Sequence, residues 1–517
     1  MNPVLDLKSK PWYSQHNIYV TGFIIDENGI YTNKDLCKRV IEFKDNTEQL
    51  ISGEFAAIII EGQQIYLITD VIRSTALFYK IEDENVYVSD LCYTFRKEHP
   101  VSLNIDAAKT FLHSGYTHGY STLNNDVFQI EAGTIVHISK DKHRVYNYID
   151  TVKIALQHRT PEDLFDILSE VFDDYIKILD GRQVAISLSG GYDSRLILAM
   201  FHIKNYDNIT CFSYGRPSSI ELKDAKTVAE TLGCSWHCIN YDLAFDPSVL
   251  SKNSFDEYCR YASNDAAMFF LKQYFPALYL KEKELLSPDA IIIAGHTGDM
   301  ISGSHLRPFM SSEKMTRDMF VNNLMRMHFN SFSHKPKLNK IISDSITMFE
   351  TDLHWLQYES WERINRQAKF IVNSNRAYNY FGYNTLIPLW DRRILEFFRR
   401  LPFEQKYHCK LYKHTLKEFI FKPHCIHLKS ETHPSSSQLI KQNIKDQIKK
   451  VLPKAITNKL VNYSDPYHYK SIIDSMSDTG FEFVIPRQKN IWNAYLVQWY
   501  LHKEFDLNHS EIKQILF

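Results

Sequence analysis

Apolar positions fall into three regimes along the chain. Up to about residue 150 they come in short β-rich runs separated by turns, among them Ala56–Ile60, Gln64–Thr69, Asn85–Val88 and Thr134–Ser139. That spacing predicts a β-dominated domain over residues 1–155. Near Thr160 the period changes. Thr160 offers a cap, Pro161 suits a first helical turn, and Glu162 and Asp163 favour its positive end, while Leu164, Leu168, Val171, Phe172 and Tyr175 form one apolar face. A second domain, 156–517, is expected from there. Strand and helix then alternate: Val184–Leu188, a helix from about Asp193, Ile209–Tyr214, a helix across Glu221–Leu232, and Trp236–Asn240. Such alternation argues for a parallel sheet covered by helices. Ile291–Ala294 adds another buried strand. Beyond about residue 310 the chain reads as mostly helical, with runs at Asp391–Arg400, Tyr412–Phe421 and Ile491–Leu501. The polar stretch Thr432–Ser437, with Pro434 and three serines, reads as a surface loop.

Composition narrows the class. At 517 residues the chain exceeds what one core serves, and 44% hydrophobic with 23% charged residues is ordinary for a globular protein. Sixty basic side chains against sixty-one acidic ones leave a formal charge of -1, so no general attraction to nucleic acid or anionic membrane is implied and any anion site is local. No apolar run approaches the ~18 residues that span a bilayer, which points to the cytoplasm. The eight cysteines are scattered without a C-x-x-C pair. Cys234 and Cys238 flank His237, and His424-Cys425-Ile426-His427 has a metal-like look, but neither has a second ligand pair, so free thiols rather than zinc are expected.

The chemistry concentrates in Ser189-Gly190-Gly191-Tyr192-Asp193-Ser194, directly after the apolar strand Val184–Leu188 and before the helical run Arg195–Met200. Gly190 and Gly191 lack a Cβ and let the backbone approach an anion, and the N–H groups at a helix start supply partial positive charge. Ser189 and Ser194 add hydroxyl donors, and Asp193 is placed to hold Mg²⁺. A bare glycine pair joins strand to helix in many α/β proteins, whereas six ordered residues in this context are much rarer. The chain has no G-x-x-x-x-G-K-[ST].

The string resembles the S-G-G-x-D-S pyrophosphate loop of the ATP pyrophosphatases, and further landmarks resemble the asparagine synthetases among them. Glu221 with Ala225, Val228, Ala229, Leu232 and Gly233 is similar to the helix after that family's second strand. Ala294-Gly295-His296-Thr297-Gly298-Asp299 resembles its S-G-E-G-x-D loop. Pro388-Leu389-Trp390-Asp391, Leu401-Pro402 and Lys410-Leu411-Tyr412-Lys413 resemble its P-F-L-D, I-P and phosphate-contacting lysine. The resemblance implies an ATP site at Leu188, Ser189, Gly190, Gly191, Asp193 and Ser194, joined by Tyr214, Ala294 and Gly295, with Asp193 and Asp299 as Mg²⁺ ligands and Lys413 as the catalytic lysine. Taken singly, Asp299 and Asp391 also suit helix caps, and Lys413 a solvated surface cation.

Gly53-Glu54-Phe55-Ala56, Asp70, Leu77-Phe78-Tyr79 and Ser89-Asp90 resemble landmarks of the family's glutamine-hydrolysing, N-terminal-nucleophile-hydrolase-like domain. That chemistry needs an N-terminal cysteine, and position 2 is Asn2, while Cys37 and Cys92 are internal. Two further departures bear on the substrate. The family's second-loop glutamate is His296, and its E-x-R is Asn384-Thr385-Leu386. β-Lactam synthetases and lasso-peptide cyclases share the missing nucleophile, and Ser189–Arg195 and Gly298–Gly303 look closer to polysaccharide-cluster asparagine synthetase-like proteins.

The implied activity is adenylation of a small-molecule, sugar-acid or peptide carboxylate by ATP, then capture by an amine other than glutamine-derived ammonia, in surface-polysaccharide or secondary-metabolite biosynthesis. His296 is the candidate proton acceptor, although a lone histidine is more often structural. Asparagine synthesis from free ammonia and a non-catalytic scaffold are the alternatives; a tRNA thiolase would want a catalytic cysteine pair and a basic surface. Asp265, Phe269, Arg376 and Tyr383 are candidate pocket-lining residues, with Arg376, amid Asn373, Ser374 and Asn375, suited either to an anionic substrate or to a helix end.

Overall fold

In the computed structural model, alternation of apolar side chains sorts the amino-terminal strands into two stacked sheets. Along Phe55–Glu61, Ala56 and Ile58 face one core while Phe55, Ala57 and Ile59 face another, as the two-residue period of a strand requires. The larger sheet runs Lys142–Asn147, Thr134–Ser139, Gln64–Thr69, Phe55–Glu61, Ile18–Asp26, Tyr13–Gln15, with Gly29–Thr32 beside Ile18–Asp26. The smaller runs Asn2–Asp6, Asn85–Ser89, Phe78–Glu82, Val127–Gln129. Tyr79, Val86 and Val88 of the smaller sheet meet Ile58, Leu67 and Val136 of the larger. Leu36, Val40 and Phe43 of the helix Asn33–Asp45 cover the opposite face.

The structure describes residues 1–49, 51–98, 102–150, 154–311, 315–333, 336–346, 348, 351, 353–428, 465, 467–478, 480–488 and 491–517; the polar stretch 432–437 lies outside them.

A helix Pro161–Leu179 follows, opened by a capping box in which the Thr160 hydroxyl accepts from the Asp163 N–H and the Asp163 carboxylate accepts from the Thr160 N–H. It leads to a five-stranded sheet, ordered Ser235–Asn240, Ile209–Gly215, Val184–Ser187, Ile291–Ala294, Asn384–Leu386 and parallel throughout. Val184 and Ile186 pack with Leu168 and Phe172 on one face, and Ala185 with Ala277 and Leu280 on the other. Burial on both faces is what makes these strands read as continuous apolar runs. The outermost strand, Asn384–Leu386, is not foreseen in the sequence: three residues carry no period.

The rest of the described residues are mostly helical and wrap back over the amino-terminal sheets. Trp492–Phe505 and His509–Leu516 pack on the helix Ile105–Ser114. Arg363, 2% exposed, donates to the carbonyl of Val71 at 2.6 Å and pairs with the buried Asp150, which also faces Arg399 at 3.3 Å. No helix among the described residues is long and apolar enough to cross a membrane.

Candidate functional site

Val184–Ser187 and Ile291–Ala294 are neighbours in register, Ser187 opposite Ala294. The two loops that leave their carboxyl ends, 188–191 and 295–297, therefore emerge side by side although more than a hundred residues separate them. Ligand sites in parallel sheets form at such strand ends. Between these loops and the helix Lys410–Thr415 lies a cleft of about 590 Å³.

The first loop is braced from within. The Ser194 hydroxyl accepts from the Ser189 N–H at 3.0 Å and lies 2.9 Å from the Ser189 hydroxyl, which accepts from the Gly191 N–H at 3.1 Å. Gly191 caps the helix Tyr192–Ile203 with no side-chain hydrogen bond, so its first N–H groups face the cleft without a competing cap. Close approach demands glycine at two positions of the second loop. A Cβ on Gly295 would stand 3.0 Å from the Ser194 nitrogen, and one on Gly298 would stand 2.6 Å from the Tyr412 hydroxyl and 3.1 Å from an Asp193 oxygen.

Asp193 and Asp299 meet at the floor. The Asp299 N–H donates to Asp193 Oδ2 at 3.1 Å, and the Tyr412 hydroxyl donates to Asp193 Oδ1 at 2.7 Å. Enclosure and the neighbouring Asp299 charge push the Asp193 carboxyl up to about 7. Two carboxylates crowding one another are a donor set that a divalent cation relieves, and Mg²⁺ binds through one or two carboxylates together with phosphate oxygens. Ser304 supports the pair, its hydroxyl donating to Asp299 Oδ2 at 3.1 Å. Among the described residues no cluster of three or more His, Cys, Asp and Glu is placed to hold a metal by itself.

Of the residues singled out from sequence, Leu188, Ser189, Gly191, Asp193 and Ser194 line this cleft, as do Tyr214, Ala294, Gly295, His296, Asp299 and Lys413. Gly190 is not in the lining, and a Cβ on it would stand 3.2 Å from the Asp224 side chain. His296 is pushed down to about 4 by burial and by the Lys272 charge. Its Nε2 lies 3.3 Å from the Ser374 hydroxyl, and its Nδ1 has no partner.

The four candidate pocket residues are placed elsewhere. Asp265 is fully buried in a pair with Arg96 at 2.8 Å and accepts from the Tyr500 hydroxyl at 2.6 Å. Phe269 meets Trp499 edge-on and Tyr500 at a tilt in the core, and Tyr383 packs in the core with Phe212. The helix Trp492–Phe505 folds over Asp265 and Phe269, a contact with no local signature. Arg376 lines a separate, smaller cavity. Lys272, which lines the cleft, and Tyr412, which donates to Asp193, are among the residues that the sequence does not single out as functional. Lys272 lies over the rings of Tyr467 and Tyr214 at 4.8 and 5.7 Å; burial opposes its charge, but the tyrosines hold its affinity for the proton above the usual lysine range. It sits in a helix without a motif. Tyr412, the Asp193 donor, was visible only as a neighbour of Lys413.

The family landmarks of the amino-terminal half serve as braces. Asp90 accepts from the N–H groups of Lys8 and Ser9, each at 2.9 Å, and Asp70 from that of Phe55 at 3.0 Å. Asn2 is built into the strand Asn2–Asp6, its N–H donating to the Glu84 carbonyl at 2.7 Å.

Residues 169–478, more than half of the chain, match the family model described as asparagine synthase. The chain is 22% identical over 400 residues to the microcin J25-processing protein McjC of Escherichia coli, covering 72% of this chain and 71% of that one. Among solved structures, a glutamine-dependent NAD+ synthetase from Acinetobacter baumannii in complex with ADP matches at 14% identity and a TM-score of 0.20, over 40% of this chain and 43% of that one. A glutamine phosphoribosylpyrophosphate amidotransferase from B. subtilis, complexed with ADP and GMP, matches at 9% and 0.18, over 55% and 63%. The chain thus spans less than two thirds of either solved structure, and overlaps this weak define no shared fold.

Proposed function

Because the chain belongs to the asparagine synthase family, we propose that it is an ATP-dependent, AMP-forming ligase that adenylates a carboxylate and joins it to an amine other than glutamine-derived ammonia. One observation carries this reading: a single cleft gathers the Ser189–Ser194 loop, the Asp193 and Asp299 carboxylates and Lys413.

A substrate carboxylate oxygen attacks the α-phosphorus of ATP, forming the acyl–phosphate bond as the bond to pyrophosphate breaks. The loop N–H groups and the Ser189 and Ser194 hydroxyls hold the departing pyrophosphate. Asp193 and Asp299 would hold Mg²⁺, which neutralises triphosphate charge when bound. The amine then attacks the activated carbonyl, its C–N bond forming as the C–O bond to AMP breaks. Lys413 stabilises the oxyanion, and His296, neutral near pH 7, takes the amine proton.

Residues 1–155 are read as a degenerate glutaminase-like domain, because Asn2 is held in a strand ladder and an amide is no nucleophile. Similarity to a microcin J25-processing protein favours a peptide carboxylate among the candidate acids.

ATP–pyrophosphate exchange, run with a panel of carboxylates (amino acids, uronic acids, peptides) on the wild type and Asp299→Ala, tests the proposal. Exchange supported by one acid and lost in the variant is expected. Aspartate as that acid, with free ammonia as the amine, would mean asparagine synthesis. Absence of both exchange and Mg-ATP binding would leave a scaffold.

A further inference from the structure

A further cavity lies between the amino-terminal sheets and the helical part, and no residue lines both it and the cleft. Lys10, Glu54, Arg73 and Ser74 reach it from one side and Arg376 from the other. Its volume is about 40 Å³, against the ~30 Å³ that one water occupies in the liquid.

Its donors are unmatched. Arg73 is only 7% exposed, yet its Nε and Nη2 make no hydrogen bond, and neither does Arg376 Nη2. The Asp70 and Glu131 charges act on Arg73, but the hydrogen bonds of the nearby carboxylates go to other groups. Asp70 accepts from the N–H groups of Phe55, Ile72 and Ser74. Asp90 accepts from Lys8, Ser9 and Trp12. Glu131 pairs with Lys369 at 3.5 Å. Glu54 takes the Ile387 N–H at 2.7 Å, and burial pushes it up to about 8, so it is largely neutral at pH 7. Lys10 reaches the same wall, its amine 3.3 Å from the Ser74 carbonyl, and burial pulls its proton affinity below the usual lysine range. Buried guanidinium donors left unmade are costly, and water accepts their hydrogen bonds without cancelling their charge.

We propose that this cavity is a binding site for one small monovalent anion, a halide or a one-carbon oxyanion such as formate or bicarbonate, held between Arg73 and Arg376. The site is independent of the ligase reading, since it shares no lining residue with the cleft. Because its ligands come from both sides, occupancy ties the two parts of the chain together and raises the stability of the folded state.

The test is thermal unfolding of the full chain in gluconate buffer, titrated at constant ionic strength with chloride or formate, with sulfate as an oversized control. A saturable rise in Tm with chloride or formate is expected, its half-saturation about tenfold or more weaker in Arg73→Met and Arg376→Met. The anion with the lower half-saturation identifies the source. If the variants do not fold, wild-type crystals soaked in bromide should give an anomalous peak between the two guanidinium groups. A Tm indifferent to both anions, a rise reproduced by sulfate or unchanged in the variants, or bromide absent from that position overturns the proposal.

Discussion

A methyl group on residue 298 has nowhere to go. It would stand 2.6 Å from the Tyr412 hydroxyl and 3.1 Å from Asp193 Oδ1, so it must push apart the two groups whose hydrogen bond fixes the carboxylate. Gly298→Ala is expected to lower stability by about 1–3 kcal/mol and to depress ATP–pyrophosphate exchange, read by thermal unfolding beside the exchange assay. Tyr412→Phe separates these effects. The ring keeps its edge contact with Phe398 at 6.1 Å while Asp193 loses its 2.7 Å donor, so exchange should fall with Tm nearly unchanged. A Tm loss as large as that of Gly298→Ala would make Tyr412 a packing residue. For His296, pushed down to about 4, the amine step should run without an inflection near pH 6.5, where a free imidazole titrates. An inflection there that disappears in His296→Ala would contradict the neutral-base role.

At the level of elements, Glu54, just before the strand Phe55–Glu61, accepts from the peptide N–H of Ile387, just beyond the outermost parallel strand. Burial first of all, opposed by that hydrogen bond, raises its carboxyl to about 8, against roughly 4.3 in an unfolded chain. Its contribution to stability is thus fully present below the unfolded value and is lost as pH rises through the folded one. Glu54→Gln keeps the acceptor and removes the titration. The Tm of the wild type relative to this variant should therefore fall between pH 5 and pH 8.5, and a constant difference would place the group's titration elsewhere. Arg363 is the helical part's anchor on the sheets, pairing with Asp150 and donating to the Val71 carbonyl. Arg363→Met leaves Asp150 with Arg399 at 3.3 Å and the Ser360 hydroxyl at 2.7 Å. A loss of about 3 kcal/mol is expected in denaturant unfolding.

Taken whole, the molecule sets the cleft of the Ser189–Ser194 loop, Asp193, Asp299 and Lys413 beside a sheet pair whose family landmarks are occupied in bracing turns. Asp90 and Asp70 spend their oxygens on backbone N–H groups, and Asn2 is held in a strand ladder. Adding glutamine should leave the rate of amide formation unchanged and release no ammonia above background, whereas a competent amine should raise AMP formation; glutamine-dependent turnover would restore a glutaminase role.

The elements most legible in the sequence were those with a clear local period. Gln64–Thr69, Thr134–Ser139 and Ile291–Ala294 run between the expected residues, and Thr160 caps the helix it was expected to cap. The order of the cleft motifs was equally legible, because a strand, a glycine turn and a helix start are all local. Sequence alone determined which residue types a phosphate and a divalent cation would require, and where along the chain they stand. Only tertiary structure set Ser187 opposite Ala294, packed Gly190 close to Asp224, brought Tyr412 onto Asp193, and placed Lys272 beside His296. It also closed the Asp265 region under the helix Trp492–Phe505 and left guanidinium donors of Arg73 and Arg376 without partners. Those outcomes depend on sheet order and on helices packing across hundreds of residues, and periodicity within a short window carries no trace of either.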